Sequence, residues 1–256
     1  MGKFDGYLIC TDLDGTFAFG TEICGENAEY VKYFQENGGL FTVSTGRLTE
    51  YINEFKDFKP NAPVITFNGA VIYDMEEEKI LCMQALPETV GEIIEFVVGK
   101  NYKNLNNIWL NGLGSTIEVS ENKDVDFGDE YFKLVLTTDN AEFASFLNKE
   151  LKAKFGDRLD IFLGWSLGVE CLAKNTNKGW AVTKLKEILG DKVKKVICVG
   201  DSESDAFMLR CADIGYAVEN ASKEAKEAAD RITIHYKDGA IAQIIKDLEK
   251  ELHVRV

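Results

Sequence analysis

Four acidic residues and one lysine carry most of the chemistry this sequence offers. Asp12 and Asp14 flank Leu13 in "YLICTDLDGT", where an apolar run stops. Asp201 and Asp205 stand in "VICVGDSESD", where another apolar run stops. Two like charges about 4 Å apart repel by roughly 4 kcal/mol at an effective dielectric near 20, so such a pair needs a turn into water, a proton or a cation. Taken alone, "DLDGT" reads as a surface turn, because Asp caps its own backbone and Gly accepts positive φ. "DSESD" alone reads as an N-capped helix start, with acids at the positive end of the dipole. Two such clusters at the ends of two apolar runs imply more. If Asp12, Asp14, Asp201 and Asp205 face one crevice, they form a hard, oxygen-rich cation site that suits Mg²⁺ better than zinc.

Positive partners are scarce. Arg47 follows "STG", where Gly46 would expose backbone N–H groups to an anion. Lys178, in "NTNKGW", opens a helical pattern. A lysine on a helix is usually solvated surface, but in the first turn it opposes the dipole, which points to a local task such as holding a phosphate. The two histidines, His235 and His253, have no Ser or Cys motif near them and read as structural or exposed. Neither GxGxxG nor GxxxxGK[ST] is present, so no dinucleotide site or P-loop is indicated.

Four short apolar runs must position these groups: "YLIC" before Asp12, "LFTVS" before Thr45, "VITF" before Asn68 and "VICV" before Gly200 and Asp201. Continuous apolar strands without alternation belong to parallel sheets covered on both faces. Helical spacing separates them, in Ala28, Val31 and Phe34 before Gly38–Gly39, in Ala181, Leu185, Ile188 and Leu189 before Gly190, and in Ile241, Ile244, Ile245 and Leu248. The alternation predicts an open α/β sheet with right-handed crossovers. Ligands of such sheets bind outside the carboxyl ends of the strands, so Asp12, Thr45, Asn68 and Asp201 are expected in one crevice. Residues 84–172 read differently. They hold the helical pattern "PETVGEIIEFVV", the strand-like "STIEVS" and "YFKLVLTT", a helix bearing Phe143, Phe146, Leu147 and Leu151, and the runs "LDIFLG" and "GVECLA". This predicts an α+β insertion over the crevice, between core segments 1–83 and 173–256.

Length and composition narrow the classes. The chain has 256 residues, 45% of them apolar and 28% charged, as in a soluble globular protein. A net charge of −14 without a basic tail argues against nucleic acid and anionic membranes. No stretch is apolar enough to span a bilayer, and "MGKFDGYLIC" lacks a signal-peptide core. Scattered cysteines without CxxC read as reduced thiols of a cytoplasmic protein.

In kind, order and spacing, four of these elements resemble the haloacid dehalogenase (HAD) superfamily. "DLDGT" is similar to its nucleophile motif, "VSTGR" to its phosphate-contact motif, Lys178 to its lone lysine and "GDSESD" to its acidic metal motif. The insertion resembles the C2-type α/β cap of Cof-type phosphatases, and the likeness covers essentially the whole chain. The resemblance implies a Rossmann-like doubly wound core. It implies a Mg²⁺-dependent phosphatase of small phosphorylated metabolites, sugar phosphates first, as a monomer or small homo-oligomer. Asp12 would be the nucleophile that forms an aspartyl-phosphate. Asp14 would serve as acid and base, with its backbone carbonyl on Mg²⁺. Thr45, Gly46 and Arg47 would hold phosphate, with Ser44 as a competitor for the Thr45 role, and Lys178 would stabilise charge. Asp201 would ligate Mg²⁺, with Asp205 as ligand or support. Ser204 stands where the family often has Asn, which puts one amide contact in doubt. Two rivals are a phosphomutase of the same architecture and a non-enzymatic receiver-like domain, which is about half this length and places its Asp on a later strand.

Overall fold

Leu8, Ile9 and Cys10 are successive strand residues, and each is wholly buried, so both faces of their strand are covered. The computed structural model describes residues 2–119 and 131–253. It divides into two compact units, Met1–Cys82 with Lys178–Val256 and Met83–Asn177. The chain opens with β1 (Tyr7–Thr11), the short β2 (Ala18–Phe19) and β3 (Glu22–Ile23), α1 (Asn27–Glu36) and β4 (Leu40–Val43). β5 (Val64–Thr66), β6 (Val71–Asp74) and β7 (Lys79–Met83) follow. Next come α2 (Thr89–Lys100), β8 (Leu105–Gly112), β9 (Ser115–Glu118), β10 (Tyr131–Thr138), α3 (Ala141–Phe155), β11 (Leu159–Trp165) and β12 (Gly168–Ala173). The last stretch holds α4 (Lys178–Leu189), β13 (Lys195–Gly200), α5 (Ala206–Cys211), β14 (Ile214–Ala217), α6 (Lys223–Ala228), β15 (Arg231–Ile232) and α7 (Ala240–His253).

The first unit is built on a parallel five-stranded sheet in the order β15-β14-β13-β1-β4. α1 lies beside α7 and α4 beside α5, and their apolar faces join the strands in one core. α1 buries Val31 and Phe34 and stops at Gly38, whose φ of +90° suits a residue without Cβ. Register places the site. Thr11 is level with Val43 on one side and Val199 on the other. The ladder runs one step further, from the Asp12 N–H to the Val199 carbonyl (2.8 Å) and from the Ser44 N–H to the Thr11 carbonyl (2.8 Å). The loops that follow β1, β4 and β13 therefore begin side by side at the carboxyl edge.

Two expectations change here. The run "VITF" does not join as a full parallel strand: it meets β4 through one parallel bridge, Ser44 to Ile65, and pairs antiparallel with β6. Its buried apolar residues look the same in either sheet. Ile188 faces out at 43% exposure, while Ala181, Val182 and Leu185 carry the buried stripe of α4.

The second unit has an antiparallel sheet in the order β11-β12-β10-β8-β9. α2 and α3 pack on one face over Val97, Leu110, Leu134, Leu136, Leu147 and Val169. α3 starts where the Asn140 side chain accepts the Phe143 N–H at 2.8 Å. Phe146, expected on the packed face of α3, is half exposed, because the stripe runs through Ala144, Leu147 and Leu151.

Candidate active site

Asp12 extends β1 by one ladder bond and is 7% exposed. Leu13 turns into the core, and its carbonyl accepts the N–H groups of Thr16, Phe17 and Ala18, folding the chain back on itself. Gly15 takes φ +84°, and a Cβ there would stand 2.9 Å from Asp201 Oδ2. The turn separates the two neighbouring carboxylates, so Asp12 points inward and Asp14 stays half exposed.

Each acid has its own cation. Lys178, the first residue of α4 and 2% exposed, places Nζ 2.6 Å from Asp12 Oδ1 and 2.6 Å from Asp205 Oδ1. Its awkward place against the helix dipole is offset by these two carboxylates. The other oxygen of Asp205 accepts the N–H groups of Asp201 (2.9 Å) and Ser202 (2.9 Å) and the Ser202 hydroxyl (2.8 Å). Gly200 makes room for it, since a Cβ there would lie 2.4 Å from Asp205 Cβ. Asp201 Oδ1 accepts the Thr16 hydroxyl at 3.0 Å. Ser204 meets the Ser202 hydroxyl at 2.9 Å and so braces the loop.

Asp14 is held elsewhere. Arg47 donates from Nε to Asp14 Oδ2 (2.9 Å) and from Nη2 to Oδ1 (2.8 Å), and its guanidinium lies 4.3 Å from the Tyr51 ring centre. The carboxylate of Asp14 thus stands apart from the group Asp12, Asp201 and Asp205, whose ligand atoms lie within 4.8 Å of one another. The expected cluster of four carboxylates is a cluster of three, because Arg47 draws off the fourth; the Asp14 carbonyl is a separate matter. Thr45 is buried, and its hydroxyl accepts the Arg47 N–H at 3.1 Å. The Ser44 hydroxyl is buried without a hydrogen bond among the described residues. Asn68, in left-handed backbone at φ 54°, does converge: its side-chain oxygen is 2.9 Å from where a Cβ on Gly46 would sit. Thr16, Tyr51, Ser202 and Asn220, which holds the Gly15 carbonyl at 2.9 Å, were not singled out from the sequence. Asn220 follows the strand β14, so its signal was a strand end that went unread.

Burial raises the Asp12 carboxyl well above its usual range, aided by Asp205 and Asp201 and opposed by Lys178. Burial, then Asp205, pushes Asp201 up to about 6, against the pull of the Thr16 hydroxyl. Burial alone would lower Lys178, but Asp12 and Asp205 drive it upward. Arg47 is raised chiefly by its hydrogen bonds to Asp14. Three neighbouring carboxylates share one ammonium, which contacts two of them, so the group is negative when ionised, and every donor in it is a hard oxygen. That arrangement fits a divalent cation of the magnesium type.

Comparison with known proteins gives a consistent picture. Residues 9–245 match the haloacid dehalogenase-like hydrolase family. A 5-amino-6-(5-phospho-D-ribitylamino)uracil phosphatase of Bacillus subtilis is 26% identical over 245 residues, covering 93% of this chain and 94% of its own. A crystal structure from Thermotoga maritima superposes with a TM-score of 0.75 at 25% identity, over 95% of this chain and 97% of that one. A HAD subclass IIB sugar phosphatase superposes with a TM-score of 0.79 over 94% of this chain and 98% of that one; at 20% identity this likeness is one of fold.

Proposed function

The chain belongs to the haloacid dehalogenase-like hydrolases, and from that premise we propose that it is a Mg²⁺-dependent phosphatase of small phosphorylated metabolites, sugar phosphates foremost. The carrying observation is the pairing of Asp12 with Lys178 beside Asp201, while Asp14, two residues on, is oriented separately by Arg47. One acid is thereby set apart as nucleophile and the other as acid and base.

In the first step an Asp12 oxygen forms a bond to phosphorus as the ester P–O bond breaks, and Asp14 gives its proton to the departing alkoxide. In the second step water bonds to the phosphorus of the aspartyl-phosphate, its proton passes to Asp14, and inorganic phosphate leaves with the Asp12 carboxylate restored. Lys178 neutralises charge on Asp12 and on the phosphoryl group as it moves. Thr45 and Gly46, at the end of β4 beside Asn68, are the phosphate contacts of this reading. Asp12, Asp201 and the Asp14 carbonyl would hold Mg²⁺, with Asp205 fixed behind them by Lys178, Ser202 and the Asp201 N–H. When bound, the cation supplies charge neutralisation for the phosphoryl oxygens.

The relative whose printed substrate carries its phosphate on a ribityl chain supports a metabolite ester. The unit Met83–Asn177 is the substrate-selecting cap of this reading. Among the described residues, no helix is long and apolar enough to cross a membrane. The test is phosphate release from a panel of phosphorylated metabolites with and without Mg²⁺. Turnover of sugar or polyol phosphates, abolished by chelation and restored by Mg²⁺, is expected. Action confined to phosphopeptides or oligonucleotides, or full activity in excess chelator, would overturn the proposal.

A further inference from the structure

We infer that Arg47 serves this reaction through Asp14, as the positioning residue for the acid/base, and is not a ligand of the transferred phosphate. The inference rests on the phosphatase reading above. A half-exposed aspartate in a turn has several rotamers available, whereas a proton donor must come within about 2.6–3.2 Å of the leaving oxygen. Arg47 removes that freedom. Its Nε and Nη2 take one Asp14 oxygen each, at 2.9 and 2.8 Å, and two parallel bonds fix the plane of a carboxylate as one bond cannot. Among the described residues no other side chain hydrogen-bonds the Asp14 carboxylate.

The guanidinium is itself held from behind. It stacks on Tyr51, whose ring meets Phe55 at 5.9 Å, and Phe55 meets Phe58 at 6.2 Å. Phe58 packs edge-on against Phe17 and Phe41 in the core. The Arg47 backbone is fixed as well, through its N–H on the Thr45 hydroxyl. Arg47 and Asp14 are 45% and 43% exposed, so the pair adds little to stability, and its worth lies in geometry.

The two possible roles of Arg47 separate by leaving group. p-Nitrophenolate departs without a proton, whereas an alkoxide needs one. Wild type, Arg47→Ala, Arg47→Lys and Tyr51→Leu are compared on p-nitrophenyl phosphate and on the best primary alkyl phosphate of the metabolite panel. Arg47→Ala should lose about 100-fold in kcat/KM on the alkyl ester but less than about fivefold on the aryl ester, since general acid catalysis is worth roughly 10²–10⁴ and kcat/KM ends with departure of the leaving group, before the hydrolysis of the aspartyl-phosphate in which Asp14 acts as base on either ester. Arg47→Lys, which keeps the charge and loses the fork, should show the same split. Added guanidinium chloride at millimolar concentration should restore part of the alkyl rate of Arg47→Ala. Tyr51→Leu should show a smaller split of the same sign. Equal losses of kcat/KM on both esters, or full recovery in Arg47→Lys, would make Arg47 a phosphate ligand and overturn the inference while leaving the phosphatase reading intact. A wild-type protein inert towards every alkyl phosphate would overturn that reading, and the inference with it.

Discussion

Replacing Lys178 with methionine removes one ammonium and little volume, and the structure says what that should cost. Nζ lies 2.6 Å from oxygens of both Asp12 and Asp205, and the side chain is 3% exposed, so solvent cannot take its place. Breaking a buried pair by deleting one partner costs about 3–5 kcal/mol, because the remaining charge is left uncompensated. The lower end applies here, since Asp12, already raised by burial, can relieve the repulsion by keeping a proton. About 3 kcal/mol corresponds to a fall in Tm of roughly 6–12 °C for a protein of this size. The sign of the pH dependence follows. A carboxyl raised in the folded state binds more protons there than in the unfolded chain, so its folded state loses stability as pH rises above the unfolded value. The gap between Lys178→Met and wild type should therefore narrow at pH 5 and widen at pH 8 in chelated buffer. Saturating Mg²⁺ should narrow it at either pH, because the variant site, with one positive charge fewer among the same carboxylates, binds the cation more tightly than wild type and gains more stability from it. Turnover should fall by about 10²–10³ even with Mg²⁺ present, the usual loss when one stabilising group is withdrawn from a developing charge. Thermal unfolding followed by circular dichroism, paired with phosphate release, measures all of this. A metal-free variant melting within about 2 °C of wild type at pH 7.5 would refute the electrostatic account.

Asp12→Asn should fold normally and lose turnover by about 10⁴-fold or more, because an amide does not attack phosphorus; substantial phosphate release would remove Asp12 from the mechanism. For Asp201, a folded value of about 6 against an unfolded value of 3.8 amounts to about 3 kcal/mol of destabilisation at pH 7 in the metal-free protein, present above pH 6 and gone below pH 4. Asp201→Asn should thus melt higher than wild type at pH 7 in chelator, level with it near pH 4, and lower than it in saturating Mg²⁺; equal melting at all three conditions would count against a strained acidic cluster. Gly200→Ala should push Asp205 out of place and cost about 1–3 kcal/mol, with loss of most turnover; wild-type Tm and kcat together would contradict the tight approach.

The α/β class and the strand-end positions of the candidate site residues were legible in the sequence; the pairing of single strands and the direction of side chains were less so. Asp12, Thr45 and Asp201 were placed correctly beyond strand ends because a continuous apolar run followed by a polar residue marks the carboxyl edge of a parallel sheet. The same signal cannot tell a parallel strand from an antiparallel one, which is why Val64–Thr66 was expected in the main sheet. β14 is four buried residues including Gly215, and β8 carries Asn106, Asn107 and Asn111 on an alternating strand, so neither reads as apolar. The direction of a side chain was least legible. Sequence spacing put Asp14 beside Asp12, and only the turn at Leu13 and the fork of Arg47 part them.

The sheet order has a consequence for how the protein is made. Asp12 and Lys178 are 166 residues apart, and β1 lies between β4 and β13, the latter encoded beyond the whole of the second unit. At about 5–20 residues per second, roughly 8–33 s pass on the ribosome between the emergence of the two. Through that interval β1 has β4 available, but the edge that β13 will occupy is open, with Leu8, Ile9 and Cys10 along the strand. The unit Met83–Asn177, continuous in sequence, is complete before the lysine appears. On the proposed mechanism, activity must wait for the emergence of Lys178 and β13, and a chain stalled earlier carries Asp12 without its cation and an apolar strand edge that must be shielded from its neighbours.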